Sequence, residues 1–149
     1  MRWLIDLLNR ILRRRVPPPQ PVPSTDDVAQ LLLAHNQVRG QRGLSALRLD
    51  ARLCVSAQRV ADACVRLGYL DHSADGLTPW QRIQQVGYSY TSASENLAKG
   101  QRTAEEVVQS WLADPPHAAN VFGEWVDVGF ARTQDVWAAD YAIPSLAGG

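Results

Sequence analysis

The chain has 149 residues, enough for one domain of ordinary size, and its 46% hydrophobic and 20% charged residues suit a packed core and argue against global disorder. Fifteen basic residues balance fifteen acidic ones, so the composition lacks the basic excess of a nucleic-acid partner. No apolar run approaches the roughly 20 residues that span a bilayer, and two cysteines are too few for a disulfide scaffold or a four-thiolate zinc site.

The balance hides an uneven layout. Residues 1–15, MRWLIDLLNRILRRR, carry five Arg against one Asp, and the rest of the chain is correspondingly acidic. Trp3, Leu4, Leu7, Leu8, Ile11 and Leu12 recur at helical spacing, which predicts a basic amphipathic helix. Such a helix suits a membrane surface, with its apolar face at the acyl boundary and its arginines on anionic headgroups. Packing on its own domain or on a partner is the plainer alternative. A secretory signal is a poor fit, because Asp6, Asn9 and Arg10 interrupt the apolar segment and no small-x-small cleavage pattern follows. Five prolines between residues 16 and 24 then predict an extended spacer, and the domain proper is expected over 25–149.

Helix punctuation follows in order. Asp26 and Asp27 sit in the first turn of a helix whose inward face is Val28, Leu31, Leu32, His35 and Val38, ended by Gly40 and Gly43. Asp50 caps a second helix with Leu53, Ala57, Val60, Cys64 and Leu67 along one stripe, and Gly68 stops it. Cys54 and Cys64, ten residues apart on it, lie roughly 15 Å apart along its axis and are expected to stay free thiols. Thr78-Pro79 opens a short third helix that Gly87 closes. Thr103 to Glu106 reads as a capping box opening a fourth helix through Trp111, with Pro115-Pro116 as its stop. Glu95 is expected after a polar loop of small residues. Val126–Ala131 and Val136–Ala142 read as two strands of a hairpin, so helices come first and a small antiparallel sheet late: an α+β fold.

The residues able to carry chemistry stand at element ends. His72 follows the second helix, His117 follows the Pro-Pro pair, Asp114 ends the fourth helix, and Glu95 lies in Ser94-Glu95-Asn96. Two imidazoles with carboxylates can form a divalent-metal site with open positions or perform acid–base work. The alternative is that these are solvated loop residues, since no H-E-x-x-H or C-x-x-C brings ligands together locally. His35, on an inward helix face, is expected to be a hydrogen-bonded core histidine. No G-x-S-x-G supports a nucleophile elbow.

Ala34-His35-Asn36-x-x-Arg39, the segment Leu53 to Gln58, His72-Ser73, Glu95-Asn96-Leu97-Ala98, and Trp111 followed by Pro116-His117-x-x-Asn120 stand in an order that resembles the CAP superfamily, which includes cysteine-rich secretory proteins, antigen 5 and plant pathogenesis-related proteins. The likeness is to its bacterial SCP-like branch and covers about residues 26–143. It implies an α-β-α sandwich with a cleft lined by two His and two acids, which holds zinc or another divalent cation in some members. On this chain the family positions fall on His72, Glu95 and Asp114. The family's late-strand His falls near Val136–Ala139, where none stands, and His117 takes the place of a His found in bacterial members. The resemblance makes His72, Glu95 and His117 candidate metal ligands and His72 with Glu95 candidate catalytic groups, with Trp80 and Tyr88 as further lining. Three functions fit: an envelope- or membrane-associated module binding a small lipid-like ligand or peptide; a metal-dependent hydrolase using the same cleft; or a protein-interaction module with a vestigial cleft. The resemblance favours an extracytoplasmic address.

Overall fold

The structure, a computed structural model, describes residues 25–146. The helix expected over 1–15 and the spacer over 16–24 lie outside the described residues. In chain order the elements are α1 (Thr25–Gln41), β1 (Arg48–Leu49), α2 (Ala51–Leu67), α3 (Pro79–Gln85), β2 (Tyr90–Lys99), α4 (Ala104–Leu112), α5 (Pro115–Val121), β3 (Asp127–Thr133) and β4 (Val136–Pro144). The strands form one sheet in the order β1-β3-β4-β2, antiparallel except that β1 runs parallel to β3.

Local chemistry sets the helix boundaries. The Asp50 carboxylate accepts from the amides of Arg52 and Leu53, and Gly68, at φ 83°, closes α2 in the left-handed conformation that a side chain would disfavour. Thr78 and Gln81 form a reciprocal capping box on α3. At α4 the Thr103 hydroxyl accepts from the Glu106 amide, but the Glu106 carboxylate turns to the amide of Arg102, one residue outside the expected box.

Two expectations need correction. Pro115-Pro116 does stand beyond the end of α4, but it also opens a further helix, α5; proline is as compatible with a first helical turn as it is hostile to an interior. Glu95 does not follow a loop: it lies within the ten-residue strand β2, which pairs with β4 from Tyr90↔Pro144 to Lys99↔Val136. Serines, Ala and Thr dominate the first half of β2, and both faces of its second half are covered, so its hydrophobicity has no period of two.

Helices cover both faces of the sheet, giving three layers. Alternation along β4 sends Trp137, Ala139 and Tyr141 toward a core shared with Leu31 of α1 and with Val107, Val108 and Trp111 of α4. Val136 and Ala138 face the other way, into a core with Ala57, Val60, Ala61 and Cys64 of α2. Leu67, at the end of the expected stripe, is 42% exposed. α2 crosses β3 so closely that a Cβ on Gly129 would lie 2.0 Å from the carbonyl carbon of Leu53. His35 is a core histidine: Nδ1–H donates to Leu31 O at 2.8 Å and Nε2 accepts from the Tyr141 hydroxyl at 2.8 Å. Burial lowers its pKa to about 4, so it is neutral at pH 7. Cys54 and Cys64 are free thiols.

Candidate functional site

The α2 face of the sheet carries a buried ionic cluster that ends at the surface in His72. Successive strand residues point to opposite faces, so Glu95 and Asp140, Cα partners across β2 and β4, turn together toward α2 while Asn96 and Tyr141 turn to the α1 side. The Asp140 carboxyl stands against that of Glu95 and beside the Ser56 hydroxyl of α2. Two carboxyls in contact require a proton between them. Complete burial and the charge of Glu95 push Asp140 well above the usual carboxylate range, so it keeps that proton and donates to Glu95. Among the described residues neither Asp140 oxygen has a hydrogen-bond donor when both carboxyls are ionised, and the Ser56 hydroxyl is likewise without a partner. Burial also raises Glu95, against the hydrogen bond from Asp140 and the charge of Arg82.

Arg82, fully buried on α3, organises the rest. One terminal nitrogen donates to Glu95 Oε2 at 2.7 Å, Nε donates to Asp75 Oδ2 at 2.9 Å, and the second terminal nitrogen donates to Asp75 Oδ1 at 3.1 Å and to the His72 carbonyl at 2.6 Å. The guanidinium thus ties the turn between α2 and α3 to β2. The turn is itself shaped by side chains: Asp71 accepts from the Ser73 amide, Asp75 accepts from the Leu77 amide, and Gly76 supplies φ 83°. Burial tends to raise Asp75, but its bonds and charge contact with Arg82 hold it below the ordinary value.

His72 Nδ1 lies 2.8 Å from Glu95 Oε1, with the imidazole side chain 51% exposed and the carboxylate 1% exposed. Because Glu95 is already engaged by Arg82, its charge is not free to hold an imidazolium. Partial burial first, and the charge of Arg82 second, lower the His72 pKa, against Asp71. The ring is therefore neutral at pH 7, donating from Nδ1 to the carboxylate, and Nε2 is left as an acceptor without a partner among the described residues.

The other candidates stand as follows. His117 Nδ1 pairs with Asp114 Oδ2 at 2.6 Å, so the carboxylate at the start of α5 meets the imidazole rather than capping the helix backbone. α5 is tied to the edge strand by Asn96, which donates to the His117 carbonyl, and by Asn120, which donates to Asn96 Oδ1 at 2.7 Å. Trp80 is half exposed and donates from its indole to Ala93 O at 3.0 Å, two residues before Glu95. Tyr88 is buried with Leu53, Ile83 and Ala93, and its hydroxyl donates to Asp127 Oδ2 at 2.7 Å. The structure brings His72 to Glu95 and His117 to Asp114 as two pairs. Among the described residues no group of three or more His, Cys, Asp or Glu stands where it could hold a metal ion. Both Glu95 oxygens already meet protein donors, so the residues do not fit a zinc centre of His72, His117 and Glu95 as they stand.

Sequence reasoning missed Arg82, Asp75, Asp140 and Ser56. A signal for Asp140 was present: a lone acid in the apolar run Val136–Ala142, on a strand covered on both faces, must be paired or protonated.

Comparisons with known proteins agree with this architecture. Residues 32–136 match the model of CAP, the cysteine-rich secretory protein family. The uncharacterized protein YkwD of Bacillus subtilis is 31% identical over 110 residues, which cover 71% of this chain and 43% of YkwD. The chain thus spans less than half the length of that relative. Among solved structures, an outer surface protein of Borrelia burgdorferi superposes with a TM-score of 0.76 at 23% identity, covering 83% of this chain and 97% of that one. An extracellular protein containing an SCP domain from Bacillus anthracis gives 0.76 at 20% identity, covering 90% and 49%. With the family match spanning most of its three-layer domain, the chain belongs to the CAP family.

Proposed function

We propose that this CAP domain is a non-catalytic binding module of an extracytoplasmic protein, and that His72 is the polar contact for a small lipid-like ligand or a peptide. One observation carries the reading: a half-exposed imidazole is locked by a buried carboxylate and arginine, with Nε2 unpaired among the described residues. A group held this rigidly loses little conformational freedom when it accepts a hydrogen bond. Tyr69, Leu70 and Trp80 leave apolar surface exposed near it in the chain, at 58%, 39% and 50%, which suits a ligand with an apolar body and one hydroxyl or amide donor. The extracytoplasmic address is supported by structural relatives described as outer surface and extracellular proteins. Among the described residues no helix is long and apolar enough to cross a membrane. In this reading residues 1–15 supply contact with a membrane surface.

Binding of sterols, fatty acids, glycan fragments and short peptides, followed by intrinsic fluorescence and calorimetry, tests the proposal. Saturable binding of one of them that weakens at least tenfold in His72→Ala is expected. Binding left unchanged by His72→Ala would overturn the assignment of His72. Co-sedimentation with anionic liposomes, lost on replacing Leu7 and Leu8 with Asp, tests the membrane contact separately.

A further inference from the structure

Among the described residues two arginines are buried, Arg39 and Arg82, and they are treated differently. Arg82 meets two carboxylates. Arg39, 1% exposed near the end of α1, forms no ion pair with any described residue: Nε donates to Ser45 O at 3.0 Å and one terminal nitrogen to Val121 O at 2.9 Å and Gly123 O at 2.7 Å. Among the described residues the second terminal nitrogen donates to no atom. Arg39 lines a surface cavity of about 540 Å³, together with Leu44, Ser45, Arg48, Glu124 and Trp125. No residue of this cavity belongs to the His72–Glu95 cluster.

The geometry points to a binding site for a small oxyanion in this cavity, a carboxylate or phosphate group that accepts from the free edge of the Arg39 guanidinium. Neutral carbonyls satisfy hydrogen bonds but leave the formal charge of a buried cation uncompensated, whereas an oxyanion supplies both acceptor and charge. With Nε–H and both hydrogens of the first terminal nitrogen committed to carbonyls, the second terminal nitrogen is the one that donates to such a group. Arg48 adds a second positive charge to the lining, held 3.1 Å from Asp127 with most of its side chain exposed. The Ser45 hydroxyl is a neutral donor. Trp125 commits its indole N–H to Asn120 O, so its ring contributes an apolar wall. Glu124 is the opposing charge in the lining; it is exposed and lies outside ion-pair distance of Arg39. It limits the cavity to a compact, weakly charged group.

Calorimetric titration of the whole protein with inorganic phosphate, and separately with acetate, at pH 7 and constant ionic strength tests the site. Saturable one-to-one binding of at least one anion, with a dissociation constant on the order of 1 mM, is expected. Preference for phosphate would assign a phosphate-bearing ligand, and preference for acetate a carboxylate. Ser45→Glu, at an exposed position beside Arg39, supplies a carboxylate from the chain itself; it is expected to fold, to melt no lower than the wild type and to abolish binding. Glu124→Gln should tighten binding by about threefold by removing a like charge. Absence of saturable binding to either anion, or equal binding in Ser45→Glu, would overturn the proposal.

Discussion

The two faces of the sheet solve the problem of buried polarity in opposite ways. Toward α1, α4 and α5 the polar side chains that meet the sheet are neutral: His35, Asn96, Tyr141 and Asn120 exchange hydrogen bonds, and the buried charge of Arg39, near the end of α1, rests on backbone carbonyls. Toward α2 and α3 the groups are ionic: Arg82 sits between Asp75 and Glu95, and Asp140 must hold a proton. Residues one apart in sequence, Glu95 and Asn96 or Asp140 and Tyr141, enter these different environments because the strand alternates. The surface imidazole of the candidate site grows out of the ionic face. A neutral network gives a rigid wall; an ionic one also sets the protonation of what touches it.

Breaking the ionic face should have the largest effect. Arg82→Met leaves Glu95 and Asp75 without their cation and is expected to cost about 4 kcal/mol in urea unfolding, because an unpaired buried charge remains. A loss below about 1 kcal/mol would show that the carboxylates are not held by Arg82. Gly129→Ala, on β3, tests how closely α2 lies over the ionic face; the added Cβ meets the α2 backbone, and a loss of about 3 kcal/mol is expected.

His35 and Asp140, one from each face, should also respond to pH with opposite signs. His35 has a lowered pKa in the folded state, so the unfolded chain takes up its proton first and stability falls as pH drops from about 6.5 toward 4. From pH 7 to pH 4.5 this contributes a loss of about 2 kcal/mol, and His35→Gln should flatten that limb although the variant starts less stable. Asp75, held low by Arg82, adds its own loss only below about pH 4. Asp140 has a raised pKa, so its contribution is present at low pH and is lost as pH rises above the ordinary Asp range. Asp140→Asn, whose amide can donate to Glu95 without a proton, should be within about 1 kcal/mol of wild type at pH 7 and lose stability less steeply from pH 5 to 8. A steeper fall in that variant would contradict the shared proton.

Much of this was legible before folding. Asp50, Thr78 and Thr103 announce helix starts through side-chain oxygens that can accept only local amides, and the Val126–Ala142 hairpin announces itself by β-branched and aromatic runs. What escaped depends on pairing between distant segments. β2 is a strand because β4 offers it a ladder, not because of its own composition. The Pro115-Pro116 pair is ambiguous in one dimension, since it ends one helix and starts another equally well. The resemblance pointed to His72 and Glu95, but not to Arg82 and Asp140, which determine what the pair can do: their roles exist only once α3 and β4 lie beside β2.

The buried cluster keeps His72 neutral and leaves Nε2 as an acceptor. Imidazole nitrogen NMR across pH 4 to 8 tests it directly on the wild-type protein. The His72 pKa is expected below the ordinary 6.5, with the proton on Nδ1 in the neutral ring. A pKa above 6.5, or a proton on Nε2, would mean instead that Glu95 directs its charge to an imidazolium or donates to the ring, and would overturn the role assigned to the cluster.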